Sequence, residues 1–263
     1  MRANLRLFWS GVRASWADYM VELTPTLYLG VHIPRTIFQA LFFVLIAKAA
    51  GGDQLARFAL IGNAVQMAVF FGLLSMEIII ESEKWSGTFE YLIASPAHWL
   101  PLMLGKSMFS FSDAFLSTIV VFAVLIPVLN LQISLVNLLA SAPVILITVI
   151  SAGAMGWLIG AICLPIRWGF RICNLLAYAM MILCGVNFPF TALPPIVQEI
   201  GRLLPVTHGL LAVRAIIDGA TYWSVLPLVG SEILIAVTYS GLAWIAFGYR
   251  LKVARQSGAF ELV

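Results

Sequence analysis

The sequence from residue 77 to residue 96 is E-I-I-I-E-S-E-K-W-S-G-T-F-E-Y-L-I-A-S-P, the most charged part of a very apolar chain. Long apolar segments flank it, so we expect it to connect two membrane-spanning helices. Trp85, Phe89, Leu92 and Ile93 recur at spacings of three and four residues, which indicates a helix with one narrow apolar face. The closing proline disfavours helix at the residue before it. We interpret the stretch as a short helix outside the bilayer that contacts another protein; a solvated loop is the alternative.

The composition of the whole chain indicates a membrane protein. Of its 263 residues, 62% are hydrophobic and 10% are charged, and the mean hydropathy is +1.00. A soluble domain is about half apolar and a quarter charged. The predicted fold class is therefore an all-α polytopic membrane protein, with no room for a separate catalytic domain. We expect the net charge of +3 to reflect membrane orientation and not binding to nucleic acid.

The apolar segments predict six membrane-spanning helices within a domain covering residues 26–263. Their expected ranges are about 28–50, 55–80, from after Lys106 to 129, 135–164, 172–187 and 222–249. Glycines 153, 156 and 160 share one side of the fourth span, which favours close helix packing. The three cysteines, Cys163, Cys173 and Cys184, lie in or beside apolar segments without metal-ligand spacing and are expected to be buried as small hydrophobes.

Residues 1–25 are predicted to form an amphipathic helix at the membrane interface. Apolar and aromatic side chains, among them Phe8, Trp9 and Trp16, repeat at spacings of three and four. Arginines, including Arg6, occupy the other side. The segment is too polar to span a membrane, but it suits a position with aromatic side chains in the lipid and arginines toward the headgroups. No cleavable signal peptide is expected, because arginines interrupt the first apolar residues.

A proline-rich apolar stretch precedes the sixth span. Residues 188–208 are too broken to span the membrane, and we expect two short re-entrant helices on the outer side. Basic residues support that orientation, because ten lie on the side of both termini and four on the other when Arg35 is set aside. We therefore expect an inner-membrane protein with several spans and both termini in the cytoplasm.

Polar and aromatic residues in the spans and the re-entrant segment are candidates for a transport path or gate. Asn63 and Gln66 share a face and are expected to bond to a neighbouring helix, with lining of a substrate path as the alternative. Asp113 is either functional or paired with a nearby cation. The full set of path or gate candidates is Asn63, Gln66, Phe70, Asp113, Pro189, Pro194, Pro205 and His208.

Motifs for catalysis or ATP binding do not match. Residues 104–107, Leu-Gly-Lys-Ser, end like a phosphate-binding loop, but Leu100 stands where that loop needs glycine. The histidines are far apart in sequence, so no catalytic, cofactor or metal site is expected in this chain. The charges in the spans lie near the ends, whereas ion-driven carriers place them near the midplane. An energy source outside the chain is therefore favoured.

Two sets of residues resemble those of the membrane subunit of type-2 ABC exporters, the drug and polysaccharide permeases. The first is Glu81-x-Glu83-x-x-x-Gly87-Thr88-x-Glu90-x-Leu92, followed by Ser95-Pro96 and Gly105-Lys106. The second is Asn187-x-Pro189, Leu193-Pro194, Leu204-Pro205-x-Thr207-His208 and Ala212-x-Arg214-x-x-x-x-Gly219. With the six predicted spans, the resemblance covers nearly the whole chain.

The resemblance implies that residues 84–95 form a coupling helix in a cleft of a separate ATP-hydrolysing subunit. Residues 2–23 would be the connecting helix, and 188–208 would close the outer end of the path. Two ATPase subunits, which bind ATP and magnesium, and a second permease chain, identical or homologous, would complete the complex in the lipid membrane. The residues implied in coupling are Glu81, Glu83, Trp85, Gly87, Thr88, Phe89, Glu90, Leu92 and Pro96.

The expected function is export of a hydrophobic or amphipathic small molecule, such as an antibiotic, with ATP hydrolysed by the partner. A permease of the same class for a lipid-linked polysaccharide is the alternative, with Phe70, Phe71, Phe109, Phe111 and Phe115 as candidate aromatic contacts. From a different class, an ion-coupled secondary carrier is the third candidate.

Overall fold

The computed structural model describes residues 2–22, 24–88, 91, 99–166 and 169–257, and within these ranges the chain is helical without strands. A helical turn, Pro25–Leu27, and a π-helical turn, Tyr28–His32, lead into the second long helix. A 3₁₀ turn, Phe190–Ala192, precedes the short helix Pro195–Leu203. The helices are α1 Arg2–Glu22, α2 Ile33–Trp85, α3 Trp99–Val128, α4 Leu135–Cys163, α5 Gly169–Leu183, α6 Pro195–Leu203, α7 Thr207–Ile217 and α8 Tyr222–Ser257.

Helix α2 is divided by a break at two glycines. Its 53 residues would reach roughly 80 Å at 1.5 Å per residue, far more than the roughly 30 Å hydrocarbon core. Gly51 and Gly52 have non-helical backbone angles, and the φ of +68° at Gly52 is one that glycine adopts without steric cost. The separation of the predicted spans 28–50 and 55–80 is therefore seen as a break between two arms of α2.

The all-α membrane class is confirmed, while the six spans and the re-entrant hairpin stay predictions. Four helical stretches among the described residues are long and apolar enough to cross a membrane: Pro25–Trp85, α3, α4 and α8. Helix α5 has 15 residues, and α6 and α7 together qualify only as a pair bent by 93°. The predicted fifth span was too long at its end, because Gly185, with φ +67°, closes the turn after Leu183.

The centre of the bundle is formed by α2, α3 and α4, with α8 packed on α4. Gly156 of α4 lies against the backbone of Leu73 in α2, and Gly153 lies against the ring of Phe111 in α3. The prediction that the glycines of the fourth span favour close packing is thus confirmed. The three cysteines are free and buried, as expected from their apolar surroundings.

The two ends of the bundle carry different structures. At one end, here named the α1 end, α1 packs on the first turns of α3, and the last turns of α8 pack beside the end of α2. The opposite end, here named the hairpin end, holds the bent pair α6–α7. The hairpin extends beyond the predicted boundary at 208, because α7 continues to Ile217. Helix α8 likewise continues beyond residue 249 and includes the basic residues 250, 252 and 255.

Helix α1 crosses α3 where two glycines meet. A Cβ atom on Gly11 would overlap the carbonyl oxygen of Leu102, and one on Gly105 would overlap that of Phe8. The hydroxyl of Ser15 donates to the carbonyl of Lys106 at 2.8 Å close to this crossing. Since no side chain separates the two backbones, the position of α1 depends on both glycines.

We predict that Gly105→Ala destabilises the protein by about 1–3 kcal/mol, the range for an overpacked contact, because the new methyl must push α1 away from α3. The matched control is Gly248→Ala in α8, where a Cβ atom meets nothing within 4 Å. That substitution should be neutral or slightly stabilising. Thermal unfolding of both variants in the same detergent is the measurement, and equal melting temperatures would contradict the close crossing.

Candidate functional site

The end of α2 lies inside the stretch that the sequence singled out. The amides of Ser86 and Gly87 donate to the carbonyls of Ser82 (3.0 Å) and Lys84 (3.1 Å), and Gly87 has φ +67°. A glycine in this conformation ends a helix, and helical structure is described again at Thr88. The sequence predicted one coupling helix over residues 84–95. The structure instead ends α2 at Trp85, and Gly87 separates the first residues of this segment from the rest.

Trp85 belongs to the last turn of α2 and is 86% exposed. The sequence predicted that Trp85 shares one continuous helical face with Phe89. That prediction was wrong, because the break at Gly87 lies between these two positions in the chain. Four residues implied in coupling, Phe89, Glu90, Leu92 and Pro96, lie outside the described residues. Their coupling role stays a prediction.

Glu83 joins the end of α2 to α3 through a buried ion pair with Lys106. The hydroxyl of Thr88 donates to the same carboxylate and, at 3.2 Å, to the carbonyl of Glu83. Asp18 of α1 places a carboxylate oxygen 3.8 Å from the ammonium of Lys106. Lys106 therefore lies within α3, not before the third span as predicted, and connects three helices.

A second set of contacts joins the end of α2 to α4 and α5. The ammonium of Lys84 donates to the carbonyl of Leu164, directly after α4. The buried carboxylate of Glu77 fits against Gly160 of α4 and Gly169 of α5, where a Cβ atom would collide with it. Glu81, one turn further along α2, is half-buried. The end of α2 is thus connected to α1, α3, α4 and α5.

Asp113 of α3 is 7% exposed, and two polar side chains from the π-helical turn that precedes α2 lie beside it. The hydroxyl of Tyr28 donates to one carboxylate oxygen at 3.0 Å, and Nε2 of His32 lies 3.4 Å from the other. The His32 ring stacks on Tyr28 and contacts Phe71, with ring centroids 4.9 and 4.6 Å away. These contacts favour the pairing interpretation of Asp113, with a histidine as the partner.

Asn63 and Gln66 are fully buried and bond to neighbouring segments. Asn63 donates to the side-chain oxygen of Asn187 at 2.7 Å, and Gln66 donates to the carbonyl of Ala177 in α5 at 2.9 Å. The interpretation that they bond to a neighbouring helix is confirmed for Gln66, while the partner of Asn63 lies just after α5, and a role of either residue in a path stays a prediction. Phe70 is 5% exposed and packs edge-on against Tyr178 of α5, with centroids 5.1 Å apart.

The four hairpin residues proposed as gate candidates fall in different environments. Pro189 and Pro194 are exposed and precede the 3₁₀ turn and α6. Pro205 is buried at the bend, and its carbonyl lies 3.7 Å from the thiol of Cys184. A ring nitrogen of His208 lies 3.0 Å from the carbonyl of Arg202. Pro189 and Pro194 thus lie at the start of the 3₁₀ turn and of α6, and His208 contacts the backbone of Arg202 across the bend.

Arg214 belongs to the second set of motif residues, but the sequence assigned it no role. In the structure it donates to backbone carbonyls after α5. Its guanidinium donates to the carbonyls of Gly185 at 2.9 Å and Val186 at 2.6 Å, where α5 has ended. It also lies over the ring of Phe58 in α2, 3.5 Å from the centroid. Because carbonyls in an apolar region need donors, Arg214 stabilises the connection of α5, α2 and the hairpin. Its place in a proline-rich apolar stretch was the available signal.

Glu232, a charged residue within the predicted sixth span, is fully buried. Its two carboxylate oxygens accept from the amide of Val206 at 2.8 Å and the amide of Gly209 at 2.9 Å. Val206 has φ +85°, rare for a β-branched residue. A carboxylate from α8 thus caps the N-terminus of α7 and holds the bend. The signal in the sequence was a single carboxylate within an apolar span.

A protein-family model matches most of the chain. The family model described as ABC-2 type transporter matches residues 12–217, well over half of the chain. This range contains Gly105 of the glycine crossing, the end of α2 and the hairpin up to the end of α7, and it begins directly after Gly11. The chain belongs to the ABC-2 type transporter family, whose members form the membrane component of the transporter. No curated protein matches the sequence, so the family model alone carries this assignment.

We predict that Lys106→Met lowers the free energy of unfolding by roughly 3 kcal/mol, because Glu83 then stays buried without its partner. The double variant Glu83→Gln, Lys106→Met should recover most of the loss. Lys48→Met is the control, since its pair with Asp53, 2.9 Å long, is exposed and should matter by less than about 1 kcal/mol. Denaturant unfolding in detergent measures all three, and additive losses in the double variant would contradict coupling.

We predict that Glu232→Ala destabilises the hairpin by about 1–3 kcal/mol, because two buried amides lose their acceptor. Ser231→Ala is the neighbouring control, since the Ser231 hydroxyl is exposed and donates only to the carbonyl of Pro227. That change should stay within about 0.5 kcal/mol. Hydrogen exchange of the hairpin amides locates the effect; unchanged protection at Val206 and Gly209 would show that the cap is dispensable.

Proposed function

We propose that this chain is the permease subunit of an ABC exporter and that a separate subunit hydrolyses ATP. The proposed complex has two ATPase copies and a second permease chain, identical or homologous. ATP and magnesium would bind to the partner. The match to the ABC-2 type transporter family carries the proposal.

The connections at the end of α2 support transmission of force from an ATPase. Residues 89–96 follow directly on Thr88, whose hydroxyl is bonded to the buried pair of Glu83 and Lys106. Lys84 and Glu77 extend the contacts to α4 and α5. A partner that moves residues 89–96 would therefore act on the end of α2, which is bonded to or packed on α3, α4 and α5, and not on a free loop.

For the topology, we propose six spans with both termini in the cytoplasm of an inner-membrane protein. Two of these spans are the arms of α2 on either side of Gly51 and Gly52, and α5 is the short fifth. The position of α1 and of the last turns of α8 at the same end of the bundle supports two termini on one side. The connecting role of residues 1–25 and the outer position of the hairpin belong to the same proposal.

A hydrophobic or amphipathic small molecule is the substrate class that we favour. A lipid-linked glycan is the alternative, and the aromatic residues in the spans were its main support. Phe70 and Phe111 pack inside the chain against Tyr178 and Gly153, so they are occupied by packing. An ion-coupled carrier is disfavoured because both carboxylate oxygens of the buried Glu232 accept from backbone amides of the hairpin.

Reconstitution with a candidate ATPase tests the proposal. The permease and the ATPase subunit are co-purified, placed in lipid vesicles, and assayed for ATP hydrolysis with and without an amphipathic substrate. We expect substrate-stimulated hydrolysis that needs both subunits. Transport driven by a proton or sodium gradient without ATP would instead establish the secondary carrier.

The double variant Phe89→Ala, Glu90→Ala should uncouple ATP hydrolysis from export, because a docking helix depends on a few central apolar and charged side chains. We expect export to fall at least about tenfold, which corresponds to 1.4 kcal/mol of coupling, with unchanged thermal unfolding of the bundle. Trp223→Ala, an 83% exposed site at the start of α8, is the control. Normal export by the double variant would contradict the docking role.

A further inference from the structure

A groove lies between α1, the start of α2 and α3, apart from the coupling segment. It encloses about 410 Å³, and its walls are almost entirely apolar, with a single carboxylate, that of Asp113. Its other lining residues are Trp16, Met20, Pro25, Tyr28, Leu29, Phe109, Ser112 and Leu116. Volumes of 300–1,000 Å³ are typical of sites for small organic ligands.

The carboxylate of Asp113 also lines a second, polar cavity of about 620 Å³. The charged groups that line this cavity are Asp18, Glu83, Asp113 and Lys106, together with His32. His32 aside, the three carboxylates and one ammonium leave two net negative charges. The ammonium of Lys106 is already paired with Glu83. The region therefore favours a cationic ligand over an anionic one.

Three aromatic rings line the same groove as the carboxylate of Asp113. Trp16 and Phe109 are in contact, with centroids 4.9 Å apart, and Tyr28 donates to Asp113. Aromatic faces attract organic cations, and quaternary ammonium groups are bound by such rings in proteins. A carboxylate combined with rings is thus suited to an alkylated ammonium, whose hydration is weak and whose surface is partly apolar.

We propose that this groove binds amphiphiles that carry a tertiary or quaternary ammonium head. The head lies at Asp113 among Trp16, Tyr28 and Phe109, and the apolar tail lies along Met20, Leu29 and Leu116. As a statement about the exported substrate it rests on the proposed function, which it narrows from amphipathic molecules in general to cationic ones. The binding itself needs neither ATP nor the ATPase.

Equilibrium binding to the full chain alone tests the site. The protein is placed in discs of digalactosyldiacylglycerol, an uncharged lipid without an ammonium group, and the binding of radiolabelled dodecyltrimethylammonium is measured above that of protein-free discs. Uncharged dodecanol, with the same chain length, serves as the matched ligand. We expect saturable binding of the cation at least about tenfold tighter than that of the alcohol.

Two variants and a control assign the binding to the groove. Asp113→Asn keeps an acceptor for Tyr28 but removes the charge, and it should weaken the cation about tenfold while leaving the alcohol unchanged. Trp16→Leu should weaken the cation several-fold by removing a ring. Asp53→Asn, at an exposed carboxylate near the break in α2, should change neither ligand. Melting temperatures identify any variant that fails to fold, and Trp16→Leu then remains as the independent test.

Three outcomes would overturn the site: equal affinity for cation and alcohol, unchanged cation binding in folded Asp113→Asn, or loss of cation binding when phosphatidylethanolamine is added to the discs. The last would identify a membrane lipid as the occupant. Since no ATPase is present, failure here leaves the coupled ATPase assay untouched. Absence of coupling in that assay, with cation binding intact, would instead refute the proposed exporter.

Discussion

The need to satisfy polar groups wherever a helix stops inside an apolar bundle governs this structure. Water cannot serve these groups in a lipid environment, so other parts of the chain must. At the hairpin end, Arg214 donates to the carbonyls after α5, and Glu232 accepts from the amides before α7. One cation and one carboxylate thus make it possible for the chain to bend where an uninterrupted helix would otherwise be required.

The α1 end applies the same physical rule to a different purpose. The charge on Lys106 is tolerated in α3 because Glu83 and Asp18 lie beside it. Those contacts bring α1, the end of α2 and α3 to one point, and the glycine crossing of Gly11 and Gly105 removes the side chains that would keep the helices apart. A buried ion pair of this kind adds little stability over an apolar pair, but here it connects α1, the end of α2 and α3.

Between these ends, the polar residues of the bundle divide into two groups. The side-chain amides of Asn63 and Gln66 donate to partners inside the chain, and both residues are buried. Asp113 also has protein partners, yet its carboxylate lines two cavities, one apolar and one polar. That combination distinguishes a group that only stabilises packing from one that a ligand can reach.

The sequence by itself determined the all-helical membrane class, the break near residue 52, the close packing of the glycines in α4 and the membership of the family. These follow from local composition and spacing, which act over a few residues. It did not predict the end of α2 at Trp85, the burial of Lys106 or the roles of Arg214 and Glu232. The end of α2 is set locally at Gly87. Only the tertiary structure decided the burial of Lys106 and the roles of Arg214 and Glu232, because each depends on a partner 23 or more residues away, and no local pattern shows which buried charge contacts which helix end.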